Sequence, residues 1–224
     1  ILMGYRSTSI FKSQYYWLKD NEQTQLLPIP EKSNPVGIFK DQLLVSLKDD
    51  WQPSGTSISF TNGSLVSFDI AEWMKSNTIT NAKLVYQPNA KSTISGVSIT
   101  KSTVLLSITE NVVGNVYVFD YQDEWRSTKL DLPQNGTVSI ISANDDSDIT
   151  FINQESFISP DTLFKVDLNS NKITVAKRSP TRFDASDLVV EQFQATSKDG
   201  VKVPYFVIRK KDIVYDGSNP TLLY

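Results

Sequence analysis

Few side chains in this 224-residue sequence could do chemistry, and the richest stretch is acidic: Asn144-Asp145-Asp146-Ser147-Asp148. Its consecutive oxygen-bearing side chains could ligate a hard cation such as calcium, which takes carboxylate and carbonyl oxygens. The stretch lacks the glycine and distal glutamate of an EF-hand loop, so a polar hairpin loop between two strands is the expectation. Asp49-Asp50 offers a second carboxylate pair, useful for acid–base work only if the two face a cleft. Trp51 follows at once, and the segment reads as a loop whose indole covers a sheet edge. Gly96-Val97-Ser98-Ile99-Thr100 begins like a nucleophile elbow but lacks the closing glycine and falls inside a strand pattern. Neither the phosphate-binding nor the dinucleotide-binding glycine pattern occurs.

The sequence contains no histidine and no cysteine. Without histidine there is no usual general base, no neutral imidazole ligand and no Ser-His-Asp triad within this chain. Without cysteine there are no disulfides, thiolate metal sites or cysteine nucleophiles, and the redox compartment stays open. The sequence therefore assigns no catalytic, cofactor-binding or metal-ligating residue, and no cofactor. Net charge is -3, and the longest basic run, Arg209-Lys210-Lys211, is followed by Asp212 and expected in a solvated turn. That balance leaves no electrostatic footprint for nucleic acid. No stretch approaches the roughly 20 apolar residues that cross a bilayer, so no membrane partner is expected either. The opening Ile1-Leu2-Met3-Gly4-Tyr5 is too short and uncharged for a secretory signal, and Thr221-Leu222-Leu223-Tyr224 closes on an apolar run. Both ends read as cuts through a longer protein.

The elements that must carry these residues are strands: short runs rich in Val, Ile, Leu, Tyr and Phe, broken by Gly, Asn, Asp and Ser. Clear members are 43–47 (LLVSL), 65–70 (LVSFDI), 104–108 (VLLSI), 116–121 (VYVFDY), 149–152 (ITFI) and 163–168 (LFKVDL). One helix is expected over 69–75, with Asp69 as N-cap and Glu72 three residues on, as in a capping box. SLVSFD, NVYVFD and TLFKVD place Asp69, Asp120 and Asp167 at intervals of 51 and 47 residues. Each is preceded by two strand candidates and followed by one. The groups are 36–39, 43–47, 64–69 and 83–86; 96–99, 104–108, 115–120 and 128–132; 138–142, 149–152, 162–167 and 173–176. Residues 9–11, 15–18 and 25–29 read as the trailing strands of an earlier unit. Four antiparallel strands per repeat is the signature of β-propeller blades, each of which needs neighbours to cover its faces. The expected class is mainly β, a partial propeller of about three to four blades. Asn62-Gly63 and Asn135-Gly136 match glycosylation sequons but are expected as type I′ turns. Tyr15, Tyr16, Trp17, Trp51, Trp73 and Trp125 are expected in blade packing.

The stretch from Arg182 onward is more specific. VEQFQATSKDGVKVPYF (190–206) and DGSNPTLLY (216–224) closely resemble the junction between propeller and catalytic domain in the prolyl oligopeptidase family of serine peptidases. Tyr5-Arg6-Ser7-Thr8-Ser9, the strand at 63–69 with its helical insert, and Glu124-Trp125-Arg126 extend the resemblance over essentially the whole chain. It implies a seven-bladed propeller over an α/β-hydrolase domain, cleavage of short peptides after proline, and a propeller that restricts entry. It divides the chain into blades over 1–187 and the first hydrolase strands over 188–224, at 189–195, 203–209 and from Thr221. The family's triad and oxyanion tyrosine would fall beyond Tyr224, so none of its catalytic residues maps onto this chain. Short proline-containing peptides are then the partners of the parent enzyme. The chain alone is expected to be inactive and to self-associate or need the catalytic domain. Alternatives are a stand-alone propeller that binds peptides or proteins, and a related oligopeptidase preferring basic residues.

Overall fold

The structure, a computed structural model, describes residues 3–19, 23–133 and 136–224. The first two residues, and Asn135 with its expected turn, lie outside these. β1 (Met3–Ser9), β2 (Lys12–Leu18) and β3 (Thr24–Leu26) form a three-stranded sheet. β4 (Ser33–Phe39), β5 (Gln42–Leu47), β6 (Leu65–Asp69) and β7 (Lys83–Tyr86) form the first full blade, with α1 (Ile70–Ser76) inserted before β7. β8 (Ser92–Ile99), β9 (Val104–Glu110), β10 (Val113–Tyr121) and β11 (Trp125–Lys129) form the second. β12 (Gly136–Ser142), β13 (Ile149–Ser156), β14 (Thr162–Asp167) and β15 (Lys172–Arg178) form the third. β16 (Leu188–Thr196) and β17 (Lys202–Lys210) make a separate two-stranded hairpin. Every blade is antiparallel with its strands in sequence order, as the repeat predicts.

Five expectations are corrected. Ile10 and Phe11, read as strand, form the turn between β1 and β2, and strand 25–29 contracts to Thr24–Leu26. The fourth strand of the second blade is Trp125–Lys129; beyond it Leu130 still donates its N–H to the Val116 carbonyl, and Leu130 and Leu132 bury their side chains in the core. Asn62-Gly63 does form a turn, but only Gly63 has positive φ (84°), so it is not type I′. No strand opens at Thr221, and Leu222 and Leu223 are 89% and 96% exposed.

The type I′ signature, positive φ at both central residues, appears instead at Lys40-Asp41 (47° and 63°) and Asn111-Val112 (49° and 63°). These join β4 to β5 and β9 to β10. A left-handed conformation is unusual for β-branched Val112. The two-residue register of the hairpin outweighs the local preference.

Helix α1 begins as the sequence predicts. Asp69 Oδ1 accepts the backbone N–H of Glu72 at 2.9 Å. Only half of the capping box forms, since the Glu72 carboxylate accepts from Asn81 instead. Asn77 closes the helix in the left-handed conformation, its N–H donating to the Trp73 carbonyl. The three repeat aspartates share a position, the exit of the third strand, but not a role. Asp69 caps a helix, Asp120 sits opposite Arg126, and Asp167 accepts from the N–H groups of Asn169 and Ser170.

The blades stack through three apolar clusters. Leu43, Val45, Leu47, Val66 and Phe68 pack with Trp17, Leu27, Trp51, Phe60 and Trp73. Leu44 and Leu65, on the opposite face of the same sheet, pack with Val104, Leu106, Ile108 and Phe119. Leu105 and Val116 then meet Val138, Ile152, Phe164 and Val166. Central strands buried on both faces explain why LLVSL and VLLSI read as unbroken apolar runs rather than alternating ones. The first strands of neighbouring blades also touch, β4 against β8 and β8 against β12. The blades therefore converge at that end.

Gly114 on β10 lets the second blade come close to the third. A Cβ there would lie 2.6 Å from the Val138 backbone nitrogen and 3.0 Å from its Cγ2. Backbone cannot step aside, so Gly114→Ala is expected to lower stability by about 1–3 kcal/mol, read from urea midpoints.

Candidate functional site

The acidic stretch at 144–148 does lie in a hairpin loop, between β12 and β13, but its last residue turns inward. Asp148 is 6% exposed. Its Oδ1 accepts the Ser102 N–H at 2.8 Å and the Thr100 hydroxyl at 3.2 Å, and its Oδ2 accepts the Ser102 hydroxyl at 2.9 Å. Lys101 N–H reaches the Ser147 carbonyl at 3.2 Å. Burial works to raise the Asp148 pKa, yet hydrogen bonds from Ser102, Thr100 and Asn169 prevail and hold it below the ordinary carboxylate value. This carboxylate clasps the third blade to the second. Asp145 and Asp146 stay exposed, and no group of three potential ligands occurs among the described residues.

The other candidates are likewise structural. Asp49 pairs with Lys32 at 3.1 Å, and Asp50 Oδ1 accepts the Asn62 N–H at 2.8 Å. Trp51 bridges to Phe60, their rings 5.8 Å apart. Gly96 through Ile99 lie within β8, so Ser98 is a strand residue rather than the tip of a turn. Arg209 and Lys210 end β17 instead of occupying a free turn, because Arg209 Nε meets Glu191 at 2.6 Å across the hairpin. Trp125 reaches between blades: its Nε1–H donates to Ser67 Oγ at 2.8 Å, and that hydroxyl donates to Gln42 at 3.0 Å.

The strands expected at 189–195 and 203–209 both form, as β16 and β17. The β16–β17 hairpin rests on the end of the propeller where the 111–112 turn lies. Gln192 donates its side-chain N–H to the Asn111 carbonyl at 2.7 Å, and Phe206 packs on Phe157 with ring centres 5.2 Å apart. Between them is a largely apolar recess of about 300 Å³, lined chiefly by Val112, Thr137, Phe157 and Phe206, with Glu155 on its wall. The adjoining end of the second blade carries an ordered polar group. Glu110 accepts from Tyr117 Oη and Asn115 Nδ2, both at 2.9 Å. Burial, reinforced by that carboxylate, pushes the Tyr117 phenol up to about 12, so it remains a neutral donor through physiological pH. Sequence reasoning singled out 190–206 but not what it rests on, because 110–117 and 136–157 are unrelated to it by spacing.

Successive four-stranded antiparallel blades, stacked face to face and converging on their first strands, define a segment of β-propeller. Residues 40–179 match the family described as prolyl oligopeptidase, N-terminal beta-propeller domain, and the chain belongs to that family. An uncharacterized peptidase of Sinorhizobium fredii is 36% identical over 225 residues, which is 99% of this chain and 31% of that protein. A prolyl endopeptidase of Elizabethkingia miricola is 32% identical over 96 residues, 43% of this chain and 14% of its own length. Among solved structures, a post-proline cleaving enzyme from Rickettsia typhi superposes with a TM-score of 0.79 at 28% identity, covering 97% of this chain and 32% of that one. The chain thus spans about a third of the length of the full-length relatives it matches along nearly all of itself. No helix among the described residues is long and apolar enough to cross a membrane.

Proposed function

We propose that this chain is the propeller portion of a serine peptidase that hydrolyses short peptides on the carboxyl side of proline. In this reading residues 1–187 are propeller blades, and residues 188–224 are the opening strands of an α/β-hydrolase domain that supplies the Ser, Asp and His of the triad. The observation that carries it is the likeness to the post-proline cleaving enzyme from Rickettsia typhi, which extends over 97% of the chain and so includes the β16–β17 segment. The blades hold that segment through Gln192 and Phe206, and in this reading they limit access to the active site of the parent enzyme. No residue of the chain itself takes a chemical step.

Two measurements test this. Pure chain incubated with a proline-containing chromogenic peptide is expected to give no turnover, and cleavage blocked by a serine-directed reagent would overturn the assignment of the catalytic groups. Sequencing the reading frame past Tyr224 is expected to reveal a Gly-x-Ser-x-Gly elbow. A stop codon in its place would favour a stand-alone binding propeller.

A further inference from the structure

Irregularities in the three full blades are not spread evenly. The central pairings β5–β6, β9–β10 and β13–β14 run without a break in register. The edge pairings break: β4–β5 between Pro35 and Gly37, β6–β7 between Leu65 and Val66, and β8–β9 between Ile94 and Gly96. So do β12–β13 between Ile140 and Ser142, and β14–β15 between Leu163 and Phe164. Five of the six edge strands are therefore irregularly paired, and the sixth, β11, is only five residues long. A bulge bends and twists an edge, so it no longer presents a straight row of free N–H and C=O groups to an incoming strand.

Positive charge is confined, among the edge strands, to the outer ones; β4, β8 and β12 carry no Lys or Arg. β15, the longest strand on the outer side of the blades, carries exposed Lys172, Lys177 and Arg178; β11 carries Arg126 and Lys129, and β7 carries Lys83. The chain as a whole is net negative at -3, so this enrichment does not come from composition. Among the described residues, Lys172, Lys177 and Arg178 take part in no ion pair, and Arg178 Nε donates to the neutral Thr162 hydroxyl at 3.2 Å. A strand added at this edge would bring its backbone and side chains against three unneutralised cations and strip water from them.

We propose that the outer edge of the third blade is closed to strand addition by Lys172, Lys177 and Arg178 together with the irregular pairing at Leu163–Phe164. Copies of the chain do not join edge to edge there, and any self-association runs through other surfaces. This inference holds whether or not the parent is a peptidase.

The test replaces the three cations with threonine, which keeps strand propensity, in K172T/K177T/R178T. A control, K48T/K91T/K198T, removes the same charge from exposed positions off the edge strands. Light scattering gives the mass, and hydrogen exchange reads the β15 amides. The edge variant is expected to show a mass about twofold or more above wild type, with slowed exchange in β15, while the control matches wild type. A third variant, K172E/K177E/R178E, should return to the wild-type mass. An unchanged mass in the edge variant, association without β15 protection, equal association of the control, or failure of the glutamate variant to return would each overturn the proposal.

Discussion

Trp73→Ala is expected to cost about 3–5 kcal/mol, the range for truncating a large buried aromatic. Trp73 is 1% exposed and sits on α1, where it packs into the cluster that joins the three-stranded sheet to the first full blade. Its removal empties the site under the helical insert and loosens the insert from both sheets. For a domain of this size the thermal midpoint should fall by about 10 °C. Trp73→Phe should be far milder, about 1 kcal/mol, because the buried Trp73 Nε1–H has no hydrogen-bond partner in this structure. Phenylalanine gives up volume but also relieves an unpaired buried donor, and the two effects oppose each other. Equal losses for the two variants in urea titrations would show that the indole nitrogen is satisfied in solution.

Asp148→Asn is expected to cost about 2–3 kcal/mol at pH 7, since it removes an ionised acceptor from the donors of Ser102 and Thr100. Its pH dependence separates this role from simple packing. The Asp148 pKa is lowered in the folded chain, so its stabilisation is complete above the unfolded carboxylate value. The contribution is lost as pH falls from about 4 through the folded value, where the carboxyl takes up a proton. The stability gap between wild type and Asp148→Asn should therefore narrow between pH 5 and pH 3. Comparing the two chains cancels the other carboxylates, Asp167, Asp184, Asp199 and Asp216, whose pKa values are lowered by local turns. A gap that stays constant with pH would mean that the carboxylate charge does not hold the blades together.

These two residues mark where sequence reading succeeds and where it stops. Trp73 follows Asp69 and Glu72 in a recognisable helix start and was expected in packing. The four-strand grouping was legible for a similar reason: strand pairing within each blade is sequential, so hairpin neighbours are also sequence neighbours. Asp148 was legible only as one of a run of loop acids. Its partners Ser102 and Thr100 lie 46 and 48 residues away in another blade. No local pattern encodes that distance.

Turn chemistry divides in the same way. Asn62-Gly63 signalled a turn and forms one, whereas the two I′ hairpins fall at Lys40-Asp41 and Asn111-Val112, where only the flanking register demands positive φ. The sequence by itself determined the blades and their number in this chain, because the aspartate-ended strand repeat and sequential hairpins are legible along the chain. It also determined the family, through the motifs from Val190 to Tyr224. Only the tertiary structure decided which acid becomes an interblade clasp, which glycine lets β10 approach β12, and where the β16–β17 hairpin rests on the propeller. The physical reason is that stacking blades brings together faces roughly 50 residues apart, and contact energies across those faces depend on packing geometry that no single strand contains.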